Sequence, residues 1–321
     1  MMAKANLTLL RSGPQTCVVD QGRIGYQDIG ISPGGAADLQ AFYWANRLLS
    51  NRANEACLEI AIGGASIQFE KACSIAVCGA DTPLKILSSK NSAAVNADTW
   101  QTIQIADGDT LQINPARSGL RAYLAVKGGL IVNKELGSAS SSVKQLLGPF
   151  DGRWLKNNDR ISYHDKPQIE YNISASSAIL QTPYRFIPNY LEPLNLALIP
   201  SYQFQQFSNQ DIALLCQQTY KVSDLSDRMG VRLTGQAFKH VPNNIESEAI
   251  ALGAVQVPAN GLPIILSVDR QTIGGYSKLG CVSRLSLYQL NQRRPNQTVK
   301  FYLSSWEVEH EKWSAFQQFF S

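Results

Sequence analysis

Short apolar runs separated by turn-forming residues set the character of the first half of this chain. ASIQFE (65–70), SIAVCG (74–79), TWQTIQIA (99–106), TLQIN (110–114) and RAYLAVKG (121–128) each alternate or run in β-branched and aromatic residues, bounded by Gly, Asp, Asn or Pro. Roughly one strand per 8–12 residues is the spacing of sandwiches and barrels. Asp107-Gly108-Asp109-Thr110 reads as a hairpin turn, because Asp-Gly supplies the positive φ such a turn needs. One helical stretch interrupts the pattern, ADLQAFYWANRLLSN (37–51), where Leu39, Phe42, Ala45 and Leu49 recur at helical spacing and Leu48 widens the stripe. Ahead of it Ser32-Pro33-Gly34-Gly35 makes a turn that feeds Asp38 into the helix start, where an acid suits the helix dipole.

A second strand-rich half follows the irregular segment 166–195. Its expected strands lie in QDIALLCQQTYKVS (210–223), VRLTG (231–235), AVQVP (254–258), LPIILSV (262–268), KLGCVSRLSL (278–287) and QTVKFYL (297–303). A terminal helix closes the chain: Ser304 and Glu307 fit a capping box, and Trp313, Phe316 and Phe320 share one face. Two β-rich halves, each with a helix, predict a mainly β protein of two related barrels with a few short helices. The expected domains are 1–175 and 176–321.

Composition narrows the function classes. A chain of 321 residues suggests about two domains, large enough to need neither disulfides nor metal for its core. Charged residues make up 17%, and the net charge of +4 divides into +3 through residue 160 and +1 after it. With no basic block in either half, nucleic acid and membrane are not expected partners. The six cysteines form no CxxC pair and sit mostly among apolar neighbours, so they read as small buried hydrophobes. His164, His240 and His310 stand far apart, and no metal is expected. The N-terminus has no apolar leader core, and the apolar stretch 249–268 is broken by Gly253, Pro258, Gly261 and Pro263, so a cytoplasmic protein is expected.

Candidate chemistry concentrates in DRQTIGGYSKLG (269–280), just after the most apolar expected strand. Asp269, Arg270 and Gln271 offer an anion, a planar donor fork and an amide. Gly274 and Gly275 allow close backbone approach, and Tyr276 and Lys278 would share a strand face. In SDRMGVRLTG (226–235), Asp227, Arg228 and Arg232 could clamp a carboxylate. The glycine-rich segment 20–38 carries Arg23, Asp28 and Asp38 but no phosphate-loop or dinucleotide fingerprint. The methionines are Met1, Met2 and Met229, none in a biotin-attachment sequence, so covalent biotin is not expected. No nucleophile elbow or H-E-x-x-H motif is present, which disfavours a self-contained Ser/His or zinc hydrolase.

Taken in order, DQGRIGYQDIGISPGGAADLQAFYWANRLLSN (20–51), ACLEIAIGG (56–64), IAVCGAD (75–81), GLRAYLAVKGGL (119–130), ELGSASS (135–141), DRMGVRLTG and AVQVPANGLPIILSVDRQTIGGYSKLG resemble a known family. The chain is similar, over about residues 13 to 310, to the allophanate hydrolase subunit 2 family, also called the biotin-dependent carboxyltransferase family. The resemblance implies cyclophilin-like β-barrel domains. It implies work beside partners, since free-standing bacterial members serve as the C subunit of ATP-dependent 5-oxoprolinase with A and B subunits, the B subunit being allophanate hydrolase subunit 1-like. ATP is then hydrolysed by the complex rather than bound by this chain alone. The same module in urea carboxylase passes a carboxyl group to urea, so the substrate is a small amide either way. Read through the resemblance, Asp269, Gln271 and Lys278 would orient and polarise the lactam. Arg228 and Arg232 would hold its carboxylate, with Tyr276 and Asp38 also in contact with substrate. Two alternatives stand beside this: a carboxyltransferase that accepts carboxybiotin from another chain, and a regulatory protein that antagonises a kinase-inhibiting subunit. The chain departs from the family at Gly137-Ser138-Ala139-Ser140-Ser141, which lacks the usual arginine, and at Leu285-Ser286-Leu287, which lacks an acid.

Overall fold

The structure is a computed structural model that describes residues 4–90, 94–165, 179–242 and 245–321. The chain forms two compact units: Met1–Gly22 with Leu39–Pro188, and Arg23–Asp38 with Asn189–Ser321. The expected boundary at 175/176 lies outside the described residues. Among the described residues no helix is long and apolar enough to cross a membrane.

Among the described residues the first unit holds twelve strands: Lys4–Arg11 (β1), Gln15–Val19 (β2), Cys57–Ala61 (β3), Ala65–Phe69 (β4), Cys73–Asp81 (β5), Leu84–Leu87 (β6), Ala94–Ala97 (β7), Thr102–Ile105 (β8), Thr110–Ile113 (β9), Ser118–Val126 (β10), Leu130–Ile131 (β11) and Arg160–His164 (β12). They make a seven-stranded sheet, β11-β12-β1-β4-β9-β6-β7, and a five-stranded sheet, β2-β3-β10-β5-β8. Leu7, Leu9, Ile67 and Phe69 of one sheet and Val18, Leu58, Ile60 and Leu124 of the other fill a common core. At roughly 1.5–3 kcal/mol per fully buried large apolar side chain, this packing is the main stabilising term. Alternation turns Cys17, Glu59, Tyr123 and Cys78 to the other face of the five-stranded sheet. The helix Leu39–Leu48 (α1) packs on β5 and β10, burying Phe42, Trp44, Ala45 and Leu48. The turn at 107–108 forms, but it is no hairpin, because β8 and β9 belong to different sheets.

The second unit is a closed barrel of Leu194–Pro200 (β13), Tyr220–Val222 (β14), Gly230–Thr234 (β15), Ala254–Val257 (β17), Ile264–Leu266 (β18), Ser277–Val282 (β20) and Thr298–Leu303 (β21). Two short strands, Glu248–Ala249 (β16) and Ile273–Gly274 (β19), pair separately. Leu196, Leu198, Val222, Leu233, Val255, Ile265, Leu279 and Phe301 point inward.

Two expected strands are partly helical. Asn209–Gln217 (α2) replaces the first part of 210–223, because Ser208 caps it by accepting from the Asp211 amide, a Ser-x-x-Asp start the apolar run conceals. Arg284–Leu290 (α3) replaces the end of 278–287 and starts at Ser283, whose side chain accepts from the Ser286 amide. The terminal helix Trp306–Phe320 (α4) is capped by Ser305, not Ser304. The Ser304 amide is still bound to the Leu198 carbonyl at 2.9 Å, which keeps that residue on the strand side of the boundary.

Candidate functional site on the outer wall of the barrel

The site begins with strand register. β17 and β20 pair so that Gln256 lies opposite Lys278, and Val255, Val257 and Leu279 point into the barrel, so Gln256 and Lys278 point out of it. The row continues through Ile264 to Arg232 on β18 and β15. Arg232, two strands from Gln256 and so roughly 10 Å away, is exposed. Gln256 and Lys278, by contrast, are only 2% and 7% exposed, because the β16–β19 ladder covers this part of the wall. Ile250, just beyond β16, packs with Ala254 and Leu266 and anchors the cover.

Under the cover, Lys278 Nζ meets Glu248 Oε1 at 2.6 Å. Glu248 also accepts a hydrogen bond from the Tyr202 hydroxyl, whose oxygen accepts from Gln203 Nε2 at 2.8 Å. Gln203 Oε1 accepts in turn from the Lys278 amide at 2.7 Å, closing the network on the strand that carries the lysine. The hydrogen bond from Lys278, then the one from Tyr202, holds the Glu248 carboxyl below the usual carboxylate range. The carboxylate in turn fixes the direction of the Lys278 side chain.

The loop between β18 and β19 carries Asp269, Arg270 and Gln271. Asp269 receives Arg228 Nε at 2.8 Å and Nη2 at 3.2 Å, a two-point pair in which both side chains are largely buried. Arg228 Nη2 also donates to the Gly35 carbonyl at 2.8 Å. Gly34, just before it, takes a left-handed φ of +63° that favours glycine, and its open side faces Asp269 Oδ1. Arg270 lies behind the loop, its Nε donating to the Ile250 carbonyl at 3.1 Å, and burial lowers its pKa to about 10. Gln271 is half-buried.

The expected site residues therefore separate. Asp269 and Arg228 are joined, with the arginine fork closed on Asp269 and Gly35 rather than open to a substrate carboxylate. Lys278 sits in the covered network, and Tyr276, 41% exposed, precedes β20 instead of sharing its face with Lys278. Asp38 is buried, accepting from Gln292 Nε2 at 2.9 Å and facing the Tyr190 hydroxyl at 3.3 Å. Gln256, Glu248 and Tyr202 went unnoticed in the sequence. A polar residue between two inward valines in AVQVP reads as solvent-facing, and only the cover buries it. Cys281 offers no thiolate, since burial raises its pKa.

The serine-rich departure at 137–141 has a structural role. The buried Asp20 carboxylate accepts from Ser138 and Ser140 Oγ, each at 2.6 Å, from the Ala139 amide at 2.7 Å and from the Gly22 amide at 2.8 Å.

Residues 29–303 match the family profile described as carboxyltransferase domain, subdomain A and B. The C subunit of 5-oxoprolinase from Escherichia coli (strain K12) is 31% identical over 94% of this chain and 92% of its own length. Its counterpart from Haemophilus influenzae, of the same name, is 33% identical, over 88% and 86%. The crystal structure of the Kluyveromyces lactis urea amidolyase superposes on all of this chain with a TM-score of 0.86 and 26% identity, and the chain spans 20% of that protein.

Proposed function

The chain belongs to the carboxyltransferase domain family, subdomains A and B, and from that premise we propose that it is the C subunit of a cytoplasmic, ATP-dependent 5-oxoprolinase converting 5-oxo-L-proline to L-glutamate. The observation that carries this reading is the likeness to the two bacterial 5-oxoprolinase C subunits, which are 31% and 33% identical to this chain, against 26% for the urea amidolyase. The proposed partners are A and B subunits, with ATP hydrolysed by the assembly.

In this reading the Lys278 ammonium, aimed by Glu248, lies where negative charge grows on a lactam oxygen as the ring amide is attacked. Fixed donors in a site shielded from water stabilise such charge without reorganising. Asp269, held by Arg228, orients the ring nitrogen side, Gln271 supplies an amide beside it, and exposed Arg232 draws the substrate carboxylate toward the wall. Tyr276, at the cover's edge, contacts the ring. Arg228 acts through Asp269, as a positioning residue.

A second reading has its own support, in the carboxyltransferase profile and the urea amidolyase likeness: transfer of a carboxyl group from biotin carried on another chain to a small amide. One experiment separates the two. The chain is purified with its A and B partners, and ATP hydrolysis is followed with and without 5-oxo-L-proline, omitting each subunit in turn. ADP and glutamate that appear only with substrate and all three chains support the 5-oxoprolinase. A stable complex with no response to 5-oxoproline removes it, and avidin-reactive protein co-purifying with the chain would then favour carboxyl transfer.

A further inference from the structure

We propose that Gln256 is a substrate-contacting residue, and that its side-chain amide and that of Gln271 together grip the carbonyl oxygen of a planar amide above Gly274. The inference rests on the amide-directed reading above and adds a residue to it.

Gln256 is 2% exposed, yet its Nε2 meets no protein acceptor. A buried N–H group without a partner is costly enough that folded proteins rarely keep one. Its setting suggests what the donor is for. A Cβ built on Gly274 would lie 3.2 Å from Gln256 Nε2, 3.2 Å from Gln271 Nε2 and 2.7 Å from Ile250 Cδ1. Two amide nitrogens from different elements, one on the barrel wall and one on the loop before the cover, thus converge on the side-chain face of Gly274, where a larger residue would have to displace them or Ile250. Ile250 lines that face with an apolar methyl, which strengthens hydrogen bonds made beside it.

Lys278 stands directly across from Gln256 on the neighbouring strand, at the 4.5–5.5 Å side-chain spacing roughly expected for cross-strand partners. Glu248, which holds the lysine, is the ladder partner of Gly274. Three donors and one ammonium-bound carboxylate therefore belong to a single patch, with Gly274 and Gln271 half-exposed at its mouth and Gln256 at its floor. The unpartnered Gln256 Nε2, with Gln271 Nε2 beside it, selects a ligand that brings an amide oxygen. A lactam and a urea both bring one, and L-proline, whose only oxygens are those of its carboxylate, does not.

The test uses the chain assembled with its A and B partners. Turnover of 5-oxo-L-proline and of urea is measured in separate arms for wild type, Gln256→Met, Gln271→Met and the double variant. Binding of 5-oxo-L-proline is compared with that of L-proline by calorimetry. Removing a donor to a developing oxyanion lowers kcat by about 100-fold. Gln256→Met is expected to lower kcat/KM to about that extent in whichever arm is active and to erase the preference for 5-oxo-L-proline over L-proline. The double variant should lose less than the product of the single losses, since both amides serve one oxygen. Because Gln256 is buried, Gln271→Met at the half-exposed mouth gives a second test should Gln256→Met unfold. An active wild type whose Gln256→Met and Gln271→Met variants keep kcat/KM within twofold overturns the proposal and leaves the amide reading standing. A wild-type assembly that turns over neither amide overturns both.

Discussion

In the first unit the buried Asp20 carboxylate accepts four hydrogen bonds, and the buried Glu59 accepts from the Tyr123 hydroxyl at 2.8 Å while pairing with Arg121 at 3.4 Å. In the second unit the buried Gln256 amide ends without an acceptor, and Lys278 relies on a carboxylate whose side chain is 34% exposed. Both units hide polar groups that cost free energy to desolvate, but Asp20 and Glu59 are supplied with partners, whereas Gln256 Nε2 is not. The contrast separates scaffolding from working chemistry. A saturated carboxylate fixes a loop, as Asp20 fixes 138–140, and has nothing left to offer a ligand. A floor of donors under a thin two-stranded cover retains that capacity.

The contrast can be broken most directly at the Arg228–Asp269 pair. Arg228→Met leaves the Asp269 carboxylate without its counter-charge, and breaking a buried pair from one side costs about 3–5 kcal/mol. Denaturant unfolding of the variant should show that loss; a loss below about 1 kcal/mol would mean that solvent takes the arginine's place, as at an exposed pair. Next in size is Tyr123→Phe in the first unit, which removes a buried hydrogen bond to Glu59. It should cost about 1–3 kcal/mol in thermal and chemical unfolding while leaving turnover intact. Loss of turnover would move chemistry into the first unit. At the terminal helix, Ser305→Ala removes the cap on the Val308 amide and should lower stability by about 1 kcal/mol, whereas Ser304→Ala should leave that cap in place.

The smallest expected effect is a pH dependence at Glu248. Its folded pKa lies below the ordinary value of 4.5, chiefly through Lys278. The folded state therefore gains from this group above about pH 4.5 and loses that gain as pH falls through the lowered value. At such a partly exposed site the gain is under about 1 kcal/mol. Unfolding titrated from about pH 6 to about pH 3 should fall less steeply in Glu248→Gln than in wild type.

Much of the fold was legible because it rests on period-two alternation. The runs at 65–70, 74–79, 110–114 and 121–128 all carry strands, and 37–51 carries α1. Sequence periodicity misled where short apolar runs are ambiguous: Ser208 and Ser283 start helices that 210–223 and 278–287 do not announce. The density of chemistry at 269–278 was visible as a crowd of polar and glycine residues. How those residues divide was not, because pairing is a property of register. Arg228 and Arg232 look equivalent in sequence, yet one closes on Asp269 and the other faces solvent. Glu248 and Gln256 carry no motif, and their relation to Lys278 exists only through the β16–β19 and β17–β20 ladders.

The most direct test of the account compares Lys278→Met with Tyr123→Phe in the chain assembled with its A and B partners, following ADP and glutamate formation with 5-oxo-L-proline. The account predicts that Lys278→Met lowers turnover by about 100-fold or more, with unfolding within about 1 kcal/mol of wild type, while Tyr123→Phe stays active but less stable. Full activity in Lys278→Met would contradict it and place the chemistry away from the barrel wall.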